Sequence, residues 1–252
     1  MDRVNFSIIM IKKNFVCLAI FLVFSPVHAG NRDIWVHIHS LQTQVNILQQ
    51  QVTTVPKYLS GEGIRIEGNV ISTVTRHIGE IYHGGIIFWL DDSKRHGLIA
   101  SLHDLNDNEG LQWRNGESGS KNTNARANGI GAGDTNTRLI IAQQTADNQY
   151  GHFAALVAAQ YNVLEDGETV CPVASNPSST CYGDWYLPSL YELSLLKKNI
   201  VTQGFATFVP DYYWSSTEVN VSNAWLQNFS TGEFLSSDKA NTLGHVRAVR
   251  KF

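Results

Sequence analysis

Short strand-like runs and helical stretches share residues 77–252, so the sequence predicts one mixed domain of short antiparallel strands and two to three helices. Ahead of it the sequence predicts a coiled coil and a β-hairpin neck. Three observations set this division. Apolar residues between positions 34 and 52 recur at heptad spacing. A turn signal at Gly68-Asn69 separates two brief apolar runs. Beyond position 77, apolar runs of strand length are punctuated by Ser, Asn and Gly.

The first 29 residues are expected to lie outside the fold. Lys12 and Lys13 precede an apolar run from Phe15 to Phe24, and Val27-His28-Ala29 is the small-residue pattern of a signal-peptidase site. Cleavage is predicted after Ala29, with an uncleaved anchor as the alternative and Met10 as a second candidate start. The run is too short to span a bilayer as a helix, so no membrane span is expected in the mature chain. A secreted or outer-surface location follows.

Export gives the cysteines a meaning. Cys17 leaves with the signal, and Cys171 and Cys181 bracket the loop CPVASNPSSTC. An even pair in an oxidising compartment predicts a disulfide, worth about 2–3 kcal/mol through the unfolded state.

Residues 30–55 carry the heptad. Ile38, Val45 and Val52 take a positions and Ile34, Leu41 and Leu48 take d, with His, Gln, Thr and Asn between them. A helix of three heptads is marginal alone, so its seam is read as an oligomerisation surface. β-Branched residues at a with Leu mostly at d lean towards a parallel dimer. Residues 56–76 lean the other way. Pro56 ends the helix, and GEGIRIEGNVIS resembles the necks of trimeric fibre proteins, which implies a homotrimer.

From His77 the elements follow in order. GGIIFWL (84–90) reads as a buried strand, and HGLIASL (96–102) as its hairpin partner across DDSKR. Asp104–Asp134 is a polar looped region. Thr135–Asn148, capped by Asp134, and Ala154–Tyr161 read as helices. Trp185-Tyr186-Leu187 reads as a brief strand, and Ser189-Leu190-Tyr191-Glu192 fits a capping box opening a third helix. DYYWSSTE, NAWLQNF and HVRAVRKF read as short strands.

Composition narrows function. Residues 76–252 hold thirteen Lys and Arg against eighteen Asp and Glu, a balance of −5. That argues against general nucleic-acid binding, which neutralises phosphates with cations. DLNDNEG (104–110) has alternating oxygen ligands but the wrong Gly and Glu positions for a calcium loop, so a polar turn is expected. The histidines are dispersed, Ser215 and Ser216 lack a nucleophile elbow, and no metal or cofactor is expected. Of Trp113, Trp185, Trp214 and Trp225, only Trp113 stands among loops. It is the one offered as a ligand-stacking residue.

Seven blocks in register, IGEIYHGGIIFWLDDSKRHGLIAS, GLQWRNG, DTNTRLIIA, GDWYLPSLYELSLLKKN, YYWSSTE, NAWLQNFSTGE and VRAVR, resemble the Lcl C-terminal domain family across about residues 77–252. The family takes its name from the Legionella collagen-like adhesin. The resemblance implies an exported trimeric adhesin whose C-terminal domain binds sulfated or acidic polysaccharide, including host surface glycans. The cations available for it are Lys94, Arg95, Arg114, Lys121, Arg126 and Arg138, beside Trp113. No Gly-X-Y stalk is present, and the −5 balance runs against a polyanion ligand. The alternative is a structural or protein-binding fibre tip. YLPSLYEL and VRAVR also resemble formylglycine-generating enzymes and C-type-lectin-like folds, which implies an α+β domain with its chain ends together. That enzyme chemistry uses late cysteines, and none follows Cys181, so no catalysis is expected.

Overall fold

A computed structural model of the chain describes residues 31–53, 63–67, 70–106, 109–116, 118–172 and 180–252. The expected signal and its cleavage site, the helix stop at Pro56 and the turn at Gly68-Asn69 lie outside these residues. The chain divides after Leu59 into two units.

The first unit contributes α1 (Asn31–Thr53), one uninterrupted helix. On it Ile34, Leu41 and Leu48 are exposed, and Ile38 and Val45 are half-buried. Trp35, Val36 and Ile47 are exposed as well, so apolar surface extends beyond the heptad seam. A lone helix gains little from leaving such surface in water.

The second unit is α+β. It opens on the hairpin β1 (Ile64–Glu67) and β2 (Val70–Thr73), in which Ile64 faces Thr73 and Glu67 faces Val70. Ile64, Val70 and Ile71 are exposed. Then β3 (Ile81–Tyr82), β4 (Gly85–Leu90), β5 (Gly97–Ala100) and the final β9 (Val249–Lys251) form an antiparallel sheet in the order β3-β4-β5-β9. The last strand therefore closes on β5, and Phe252 and Gly97 exchange backbone hydrogen bonds of 3.2 Å. A bulge at Phe88 shifts the β4–β5 register.

This sheet is covered on both faces, which explains why β4 reads as a continuous apolar run rather than an alternation. Ile87 and Ile99 pack towards Trp113, Trp185 and Trp214, with α2 (Ala132–Gln144) and α3 (Ala154–Gln160) behind them. Ile86, Phe88 and Leu98 pack on the other side against Leu193 and Leu196 of α4 (Leu190–Leu196) and Ile200 of the π-helical turn Lys197–Val201. A second antiparallel sheet, β6 (Tyr212–Glu218), β7 (Asn223–Asn228) and β8 (Phe234–Asp238), completes the domain in sequential order.

Three local expectations change. α2 begins at Ala132 behind Gly131, whose φ of 76° only glycine adopts readily, so Asp134 is in the first turn rather than at the cap. Its carboxylate instead takes Arg138 at 2.8 Å and Lys251 at 3.2 Å. Trp185–Leu187 is not a strand; a single bridge joins Tyr186 to Val249. β8, which no alternation announces, is the added edge strand. The disulfide Cys171–Cys181 is formed, with Cα atoms 5.8 Å apart.

Candidate functional site

Four charged constellations organise the head, and the first three are internal. Ser189 and Glu192 form the predicted capping box. Glu192 does more than cap. Its fully buried carboxylate accepts from the amides of Ser189 (2.8 Å), Gly131 (2.7 Å) and Gly133 (3.2 Å) and from the Tyr186 hydroxyl (3.0 Å). The anion thus ties together the amino-terminal ends of α2 and α4, where helix dipoles favour negative charge. A Cβ on Gly133 would stand 2.6 Å from its Oε2, so the close approach requires glycine. Every oxygen is occupied, which is the arrangement of a structural anchor.

The second is Glu218 with Lys239, both buried and 2.6 Å apart. Lys239 also donates to the carbonyls of Lys121 and Val221, each at 2.9 Å. Glu218 accepts from the Thr123 amide (2.8 Å) and the Asn124 amide (3.0 Å). The pair pins the polar loop 121–126 onto the second sheet. Burial pushes the Glu218 carboxyl up, but the Lys239 ammonium and the Thr123 amide hold it below its ordinary 4.5. The contact therefore adds stability above that pH, lost as the pH falls through the lowered value. Trp113 lies beside the pair, with Lys239 Nζ 4.6 Å from its ring centre. The indole is fully buried and donates to the Ser215 carbonyl at 2.9 Å. Its expected role in stacking a ligand is therefore excluded: no face is open.

The third is Asp104, Tyr213, His245 and Arg247. Asp104 pairs with Arg247 at 2.5 Å and accepts from the Tyr213 hydroxyl at 2.7 Å, so its carboxylate is taken up by protein groups. Burial and the neighbouring carboxylate raise the Tyr213 phenol. Arg247 stacks over Phe208 at 3.8 Å and donates to the Ser101 carbonyl at 3.0 Å. A shallow cavity of about 370 Å³, lined by Leu102, His103, Phe208 and Pro210, lies against this group. Arg247 itself is 2% exposed, so the cavity offers little accessible charge.

The expected surface cations separate into two sets. Lys121 is bound by Asp147, Arg138 by Asp134, and Arg126 faces Glu218 Oε2 at 3.7 Å. Half-buried Arg114 reaches Ser120 at 3.4 Å. These four belong to loop 114–126 and α2; carboxylates answer three of them, and Arg114 meets only a neutral hydroxyl. Lys94 and Arg95 are different: they are exposed at the β4–β5 turn and, among the described residues, make no ion pair. Lys94 holds a φ of 55°, and its carbonyl accepts the Arg76 amide at 2.9 Å. His77 and His96, which the sequence reading passed over, flank the same turn. Asp91-x-x-x-x-His96 is a local pairing that the sequence could have signalled.

A family model described as the Lcl C-terminal domain matches residues 103–250. The matched span begins after β5 and ends inside β9, so it covers α2, α3 and α4, the second sheet and all three internal charged constellations, and leaves out α1. No curated protein matches the chain. Among the described residues no helix is long and apolar enough to cross a membrane.

Proposed function

The chain belongs to the Lcl C-terminal domain family, and from that premise we propose that it is an exported, non-catalytic adhesin whose head binds an acidic polysaccharide. The head is read as C-type-lectin-like, with its last strand returned to β5. The α1 seam and the exposed β1–β2 hairpin gather three copies through a coiled coil and neck, and the assembly works outside the cell. Weak contacts then act together through effective concentration. The observation that carries this reading is the family match over residues 103–250. Its non-catalytic part is supported by Glu192, Glu218 and Asp104, each of which is consumed by structural contacts.

Exposed, ion-pair-free Lys94 and Arg95 are the best-placed cations for the polymer. On immobilised heparin, Lys94→Ala with Arg95→Ala is expected to lower affinity on the order of fivefold per head, with wild-type retention falling as salt rises. Unchanged retention in the double variant would remove this turn from the site. Salt-insensitive absence of binding would remove the polysaccharide. A protein-binding fibre tip is the second reading, favoured by exposed Phe234 and Leu235 on the edge strand β8.

A further inference from the structure

We infer that Arg76, His77, Lys94, Arg95 and His96 form one anion-binding face at the end of the β4–β5 hairpin, and that protonation of its two imidazoles switches on binding of a sulfated or carboxylated polysaccharide. The inference rests on the polysaccharide reading above and adds its regulation.

Backbone contacts bring the five residues together. The Arg76 amide donates to the Lys94 carbonyl at 2.9 Å, the Lys94 amide to Asp91 at 3.0 Å, and the Asp91 amide to His96 at 2.9 Å. The strap 76–77 therefore lies directly against the turn 91–96. The side chains of His77 and His96 are 78% and 68% exposed, so both are free to meet a ligand in solution.

At neutral pH this face carries no excess of positive charge. Arg76, Lys94 and Arg95 stand against Glu80, Asp91 and Asp92. Arg76 is 2.7 Å from Glu80, His77 Nδ1 is 4.0 Å from the other oxygen of Glu80, and His96 Nδ1 is 3.3 Å from Asp91. Of the remaining neighbours, Tyr82 lies under the Arg76 guanidinium at 3.7 Å, and Phe252, the last residue of the sequence, meets the Gly97 amide through a carboxylate oxygen next to His96. Lys251, opposite Leu98 on β9, is engaged by Asp134.

Acidification changes only one side of this balance. Hydrogen bonds from Ser93 and His96 hold the Asp91 carboxyl down to about 2, so it stays ionised while imidazoles titrate. Imidazoles gain their proton in the range of about pH 8 to 5. Protonation of both imidazoles then adds two cations to this face. The head as a whole stands at −5 over residues 76–252, counting histidine as neutral. An acidic head that would repel a polyanion at neutral pH thus acquires, at mildly acidic pH, a cationic face presented once per copy.

The test is retention of the full mature chain on immobilised heparin at pH 5.5 and 7.5 and equal ionic strength. Affinity is expected to rise on the order of fivefold at the lower pH. His77→Gln with His96→Gln, both at exposed positions, should flatten that rise to less than about twofold between the two pH values. Retention by the wild type that is equal at both pH values overturns the switch and leaves the polysaccharide reading standing. A double variant that keeps the full pH dependence also overturns it. No retention at either pH overturns both.

Discussion

Leu41→Asp with Leu48→Asp is expected to leave the mature chain as single protomers and to lower its apparent affinity for an immobilised polyanion by about 100-fold or more. Both leucines take d positions in α1, and both are exposed on the isolated helix. In a coiled coil they would be knobs seated in the facing helices, where a carboxylate loses its hydration and meets its symmetry copies. A three-heptad helix has no reserve to absorb that cost. Light scattering reads the mass, and binding to a heparin surface reads the affinity. The thermal transition of the head is expected to stay in place, because α1 belongs to a separate unit. A variant that keeps its mass would show that the seam is not the assembly surface. One that becomes monomeric yet binds as before would show that multivalency does not set the affinity.

Glu192→Ala is expected to destabilise the head by about 3 kcal/mol or more, read from urea unfolding followed by tryptophan fluorescence. The substitution orphans three backbone amides and one hydroxyl in a site with no access to water. It also removes a buried anion from the facing amino-terminal ends of α2 and α4, so cap and dipole contributions go with it. Glu192→Gln keeps the shape but turns an NH2 group towards amide donors, and should cost about 2 kcal/mol. The urea midpoint should shift with little change in slope, since the unfolded chain is the same. A loss below about 1 kcal/mol for the alanine variant would mean that the carboxylate is not an anchor.

What the sequence revealed and what it hid follow the reach of each interaction. The capping box was legible because Ser189 and Glu192 are three residues apart, and the β4–β5 hairpin because both strands and their turn lie within residues 85–100. The disulfide was legible from a ten-residue separation and the export that the first 29 residues lead one to expect. Trp113 was misjudged because what buries it comes from Ser215 and Lys239, more than a hundred residues away. Glu192 was read as a cap, but its amides at Gly131 and Gly133 lie across a loop that carries no periodic signal. Asp104 reads as part of a polar turn because Arg247, the partner that buries its carboxylate, stands at the other end of the head. The basic residues were all visible, but the acids that neutralise them were not. Asp147 for Lys121 and Glu218 for Arg126 are assigned only by the fold, which leaves Lys94 and Arg95 as exposed cations of the expected set that, among the described residues, make no ion pair.

The adhesin reading depends above all on several heads acting from one stalk. The most direct test is the solution mass of the chain beginning at Gly30, measured by light scattering across a hundredfold dilution. A mass of three protomers that persists on dilution is expected; a single-chain mass at the highest concentration would contradict it.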